Sequence, residues 1–145
     1  KKPRSIDHYT MRLSGGNIDR FDDFLASAID SYGSDFSEKT IKHLVLNYGS
    51  AYEKIGNFCT ADSELGRLIK GSDEVITAEI LYAVRDEMAH KLSDVIFRRT
   101  DLGSAGNPGD RVLNDCVQFM GKELNWNESR KDKEIEQVKE MYKTV

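Results

Sequence analysis

Apolar residues recur every three to four positions along almost the whole chain, which is the period of an amphipathic helix. Ile18, Phe21, Leu25, Ala28 and Tyr32 mark a first helix that follows Gly15-Gly16 and ends at Gly33. Ser37 is placed to cap a second, with Ile41, Leu44, Val45 and Tyr48 as its stripe and Gly49 as its stop. Ser50-Ala51-Tyr52-Glu53 has the form of a capping box opening a third helix, whose apolar face is Tyr52, Ile55, Phe58 and Cys59. A weaker helical turn carries Leu65, Leu68 and Ile69 and stops at Gly71.

The longest periodic stretch runs from about Thr77 to Arg99, with Leu81, Val84, Met88, Leu92, Val95 and Ile96 on one face. Ser93-Asp94 is a candidate internal cap that would divide it in two with a bend. A loop from Asp101 to Gly109 follows. Asn107-Pro108 predicts the next helix start, with Asn as N-cap, Pro at the first helical position and Asp110 near the positive end of the dipole. Its stripe is Val112, Leu113, Cys116, Val117, Met120 and Leu124. The last helix starts near Asn127 and turns Ile135, Val138, Met141 and Tyr142 inward. Strand-like alternation with hairpin turns is missing from the pattern. The fold class expected is therefore all-α, a compact bundle of about five to six helices with irregular crossings. Residues 1–12 are polar and basic and are expected to be a linker, with the helical domain spanning 13–145.

Composition narrows the function classes more than the fold. A chain of 145 residues has room for one core. Its net charge of -4 gives no general attraction to nucleic acid or to anionic lipid. Cys59 and Cys116 lack a C-x-x-C spacing and are expected to be reduced, buried thiols. The apolar run Val75–Val84 contains Glu79 and is too short to span a bilayer. A first residue of Lys1 rather than Met is what a piece of a longer polypeptide would show.

Candidate chemistry is sparse. Glu87 and His90 have the Glu-x-x-His spacing of di-iron bundles, but such a site needs a second pair and two further carboxylates, and no second Glu-x-x-His occurs. His90 is expected at a surface or interface rather than on a metal. Gly103 to Gly109 is glycine-rich but follows no strand and ends in no Lys-Ser/Thr, so it is expected to connect helices rather than cradle phosphate. The densest polar cluster is Glu79, Tyr82, Arg85, Asp86, Glu87, Asp94, Arg98 and Arg99. Arginines beside an apolar helix suit an interface, because the planar fork makes bidentate contacts. Ion pairs inside the domain with Glu79, Glu87 or Asp94 are the plainer alternative.

The same cluster carries a resemblance. The stretch Ile76 to Ala89 resembles the long-helix segment of the carboxy-terminal domain of flavin-dependent glycerol-3-phosphate dehydrogenases, and Asp94-Val-Ile-Phe-Arg-Arg-Thr100 is similar to that family's D-V-x-x-R-R-T. Met120-Gly-Lys-Glu-Leu-Asn-Trp126 resembles M-x-x-E-L-x-W, Leu13-Ser-Gly-Gly16 the entry L-x-G-G, and His43-Leu44 with Tyr48-Gly-Ser50 a further segment. They run in family order over nearly the whole chain. Asp101 departs from the pattern, which often continues with a basic residue. The resemblance implies a parent enzyme that oxidises glycerol-3-phosphate to dihydroxyacetone phosphate, with a hydride passing to FAD and electrons to quinone. It implies that FAD, the catalytic residues and the phosphate-binding residues belong to a preceding domain, and that this chain has no catalytic, cofactor-binding or metal residues of its own.

The expected partner is that FAD-binding catalytic domain of the same polypeptide, docked at Glu79, Tyr82, Arg85, Asp94, Arg98 and Arg99. The parent is expected to be dimeric and cytoplasmic, peripheral on the inner face of the cytoplasmic membrane. Two rival expectations are a stand-alone helical interaction module and the corresponding domain of a glycerophosphate oxidase.

Overall fold

A computed structural model describes residue 16 and residues 18–143. The expected linker and most of the Leu13–Gly16 motif lie outside the described residues. Among the described residues the ordered elements are helical apart from two isolated bridges. In chain order they are α1 (Phe21–Tyr32), α2 (Glu38–Tyr48), α3 (Tyr52–Ala61), α4 (Thr77–Arg85), α5 (Leu92–Asp94), α6 (Asp110–Glu123) and α7 (Glu128–Lys143). Short 3-10 turns lie at Gly49–Ala51, Ser63–Gly66 and Asp101–Gly103, and a π turn at Val95–Arg99 continues α5.

α4 is the centre of the molecule. Of its nine residues, Thr77, Ala78, Glu79, Ile80, Leu81, Ala83 and Val84 are buried. A helix buried on all sides must have neighbours on all sides. Ala78 joins Ala28, Ile41, Leu44, Val45, Tyr52 and Ile55 in one cluster built from α1, α2 and α3. Ile80, Ala83 and Val84 join Leu92, Val95, Ile96, Leu113, Val117, Met120 and Val138 in a second, built from α5, the π turn, α6 and α7. The two halves of the bundle are thus packed on opposite sides of one short helix. Burying Ile80 completely contributes about 1.5–3 kcal/mol.

Several expected boundaries are found. Ser37 Oγ accepts from the Thr40 N–H at 3.1 Å and caps α2, and Asn127 Oδ1 accepts from the Arg130 N–H at 2.9 Å and starts α7. Others are corrected. The Ser50–Glu53 capping box does not form, because α2 turns directly into α3 through the 3-10 turn with Ala51 as N-cap. α6 begins at Asp110 with Gly109 as N-cap, and Asn107 Oδ1 instead holds the Gly109 N–H at 2.9 Å in a turn before the helix. The weak turn at Leu65–Ile69 is a 3-10 turn followed by a tight bridged loop. Ile69 N–H donates to Val75 O at 2.9 Å, Thr77 N–H to Arg67 O at 2.9 Å, and Gly71 takes φ +101° at its tip.

The main correction concerns the long helix expected over 77–99. It stops at Arg85, and the chain restarts at Leu92. Residues 86–91 form a connection in which Met88 takes φ +57° and the Ala89 N–H reaches back to Ala83 O at 2.9 Å. The bend therefore precedes Ser93-Asp94. Asp94 does act as the internal cap: its Oδ2 accepts from the Lys91 N–H at 3.1 Å and the His90 N–H at 3.2 Å.

Candidate docking face and its buried support

The end of α4, the 86–91 connection and the π turn bring the arginine cluster to one region, but its members do different jobs. Arg85 Nε pairs with Glu123 Oε1 of α6 at 2.6 Å. Arg99 Nη2 donates to Glu87 O at 3.1 Å while its Nε lies 3.8 Å from Glu87 Oε2, so Arg99 braces the connection from the far end of the π turn. Arg98 has only a loose contact with Asp94, at 3.6 Å, and its side chain is 74% exposed. Within the D-V-x-x-R-R-T segment, Asp94 and Thr100 are structural ends. Thr100 Oγ1 donates to Val95 O at 2.8 Å and its N–H donates to the same carbonyl at 3.1 Å, closing the π turn. Such turns give up regular hydrogen bonding and often mark functional positions. Here the turn leaves Arg98 as the exposed cation of the motif.

Glu79 does not reach this surface. It is fully buried, and its carboxylate works inside the domain. Oε1 accepts from the Ile76 N–H at 2.8 Å, and Oε2 lies 2.9 Å from His43 Nε2 of α2. A buried carboxylate needs such partners to offset lost hydration. On the other side of the ring, His43 Nδ1 lies 3.1 Å from Asn47 Nδ2 and 3.4 Å from Glu74 Oε2. Asn47 Nδ2 also donates to Asp101 Oδ2 at 2.8 Å. Burial alone would depress the His43 pKa. The hydrogen bond and charge of Glu79, helped by Asp101 and Glu74, outweigh it and hold the imidazole above its ordinary range.

Tyr48 links this network to the face. Its OH donates to Arg99 O at 3.2 Å, and its ring stands edge-on to Tyr82 with centroids 5.6 Å apart. Burial first, and then the neighbouring Glu79 carboxylate, push the Tyr48 phenol far above its ordinary pKa. Tyr82 is half-buried, a packing partner more than a projecting group.

Other residues with chemical potential are committed elsewhere. Glu87 and His90 sit on the 86–91 connection rather than on one helix face, so the Glu-x-x-His geometry is lost. Among the described residues no group of three His, Cys, Asp or Glu could hold a metal ion. A cleft of about 690 Å³ is lined by Tyr32, Asp35, Phe36, Cys59, Thr60 and Arg67. Burial pushes the Cys59 thiol up to about 11, away from a reactive thiolate. Burial likewise takes Cys116 up to about 12.

The connection holds a feature the sequence pattern hides. Among the described residues two other than glycine have positive φ, Met88 (+57°) and Asn125 (+56°). Asn125 ends α6 as a left-handed cap, with the Trp126 N–H returning to Gly121 O at 2.8 Å, and asparagine tolerates that conformation. Met88 has no such aptitude and is strained by about 1–2 kcal/mol. Its side chain is nevertheless 74% exposed. Val84, Met88 and Leu92 continue the helical spacing without a Gly or Pro, so nothing before the Ser93-Asp94 cap signals the break.

Comparison with known proteins agrees with the order of motifs. Residues 9–131 match the family model for the C-terminal domain of alpha-glycerophosphate oxidase. The chain belongs to that domain family. It is 32% identical over 117 residues, 80% of its length, to a glycerol-3-phosphate dehydrogenase of Synechocystis sp.. It is 26% identical over 137 residues to the aerobic glycerol-3-phosphate dehydrogenase of Bacillus subtilis, and 27% over 113 residues to the mitochondrial glycerol-3-phosphate dehydrogenase of Bos taurus. These stretches cover 90% and 74% of the chain. The chain spans only 21%, 24% and 15% of the length of the three relatives. No solved structure matches it. In each of these relatives the matched stretch is one part of a longer polypeptide.

Proposed function

We propose that this chain is the non-catalytic C-terminal domain of an FAD-dependent glycerol-3-phosphate dehydrogenase, and that it packs against the catalytic body through the face around Arg85, Arg98 and Arg99. The observation that carries the reading is the match of 80% of this chain to 21% of a dehydrogenase. The polar residues described above support it, because they cap helices, brace turns or fill ion pairs. The parent would oxidise glycerol-3-phosphate to dihydroxyacetone phosphate, with FAD held outside this chain and electrons passed to quinone. A dimeric parent, peripheral on the inner face of the cytoplasmic membrane, belongs to the same proposal. Among the described residues no helix is long and apolar enough to cross a membrane.

The test separates the part from the whole. The purified chain is expected to show no flavin absorption and no binding of glycerol-3-phosphate by calorimetry, and the full polypeptide is expected to show both. Flavin copurifying with the chain alone would sink the proposal. The family's description favours one second reading, an oxidase that passes electrons to oxygen. Substrate-dependent oxygen consumption without an added quinone distinguishes it.

A further inference from the structure

We infer that Met88 is an apolar anchor presented to the catalytic body of the same polypeptide, an inference that rests on the docking reading above. The 86–91 connection is a built support. Its two carboxylates are matched inside the domain: Asp86 with Lys54 of α3, and Glu87 with Arg99 of the π turn. Its backbone is tied at both ends, by the Asp86 N–H to Tyr82 O at one and by the Ala89 N–H to Ala83 O and the His90 and Lys91 N–H groups to Asp94 at the other. The apolar side chain at its tip is exposed, a methionine held in a conformation that glycine would adopt without strain. A strained residue persists only where the surroundings over-determine it, and such residues gather at functional positions.

The pattern suits an interface: an apolar anchor at the centre, with polar groups around it able to form the rim. Methionine adapts to the pocket it enters. The occupant follows from area and length. Other exposed large apolar residues among those described are Phe21, Leu46, Leu68, Phe97 and Met141, and Phe97 is partly engaged with Tyr142. A second copy of the chain would need a stable contact of roughly 1,000 Å² or more. A body tethered in the same polypeptide is present at an effective concentration of order mM and needs far less. In the relatives the greater part of the polypeptide lies outside this domain. The fitting partner is an apolar pocket on that body, with a carboxylate near Arg98.

Hydrogen exchange in the full polypeptide and in the 145-residue chain tests this. The body is expected to slow exchange of 86–91 by at least about tenfold, equivalent to about 1.4 kcal/mol. Met88→Gly removes the anchor and the strain together. Relief of strain is partly offset by the freedom glycine adds to the unfolded chain, so the chain carrying it is expected to melt up to roughly 4 °C higher, while the protection given by the body falls toward none. Protection of the π turn at Val95–Arg99 but not of 86–91 would overturn the anchor and leave the docking reading standing. Protection nowhere would overturn both. A lower melting temperature for Met88→Gly would make Met88 a packing residue of the domain and overturn the anchor.

Discussion

His43 stands between groups that favour different protonation states. Asn47 Nδ2 at 3.1 Å from Nδ1 suits a neutral ring donating through Nε2 to Glu79, whereas Glu74 Oε2 at 3.4 Å suits the imidazolium. The net bias is toward the charged form, since its pKa is raised. A raised folded pKa stabilises the fold fully below the unfolded value of about 6.5, and that contribution is lost as pH rises through the folded value. Urea midpoints of the chain are therefore expected to fall as pH climbs from about 6. His43→Gln should flatten that slope and lower the midpoint throughout; an unchanged slope would remove His43 from the network. Gly56 gives a second residue-scale outcome. A Cβ there would sit 2.5 Å from the Tyr32 ring, which is itself held by Phe36 and Tyr52. Alanine usually favours a helix by about 1 kcal/mol over glycine. Overpacking against a fixed ring costs about 1–3 kcal/mol, so Gly56→Ala is expected to destabilise, read as a lower urea midpoint without a change in slope.

At the scale of elements, the helices that were legible are those whose ends are set by neighbours in sequence. Ser37 and Asn127 cap residues three positions on, and the stripes of α2, α6 and α7 point to the cores found, except that Met141, expected inward, is exposed. The break between α4 and α5 was only partly legible: Asp94 caps the restart from nearby, but distant partners set where the break falls. Arg99 holds Glu87 O from 12 positions away, and Glu134 of α7 holds the Leu92 N–H from 42. The polar cluster was half legible: residue types pointed to ion pairs of its arginines with Glu87 and Asp94, but the pairing of Arg85 with Glu123 and the burial of Glu79 depend on packing. Glu134 is buried, with Oε2 accepting from Leu92 at 2.8 Å and Oε1 2.6 Å from Arg130 Nη2. Glu134→Ala strands a buried N–H at the start of α5 and is expected to cost about 2–4 kcal/mol. Glu134→Gln keeps an acceptor and should cost less. Equal losses would mean the charge, rather than the cap, holds α7 to α5.

For the whole molecule, the two arginines of one motif separate stability from docking. Arg98 is 74% exposed with its nearest carboxylate at 3.6 Å, so Arg98→Ala should change the stability of this chain by no more than about 0.5 kcal/mol. Arg99 holds a carbonyl and a carboxylate of the 86–91 connection, so Arg99→Ala should loosen that connection in the chain itself, seen as faster amide exchange there. In the full polypeptide, a docking role predicts that Arg98→Ala lowers kcat/KM by about tenfold, or about 1.4 kcal/mol, without a matching drop in melting temperature. Raising the salt concentration should weaken wild type toward the variant, because an exposed ion pair across the interface is screened. A variant that loses activity only in proportion to its stability would make the motif purely structural. Arg98 is the discriminating position because the domain itself gives its charge so little to do.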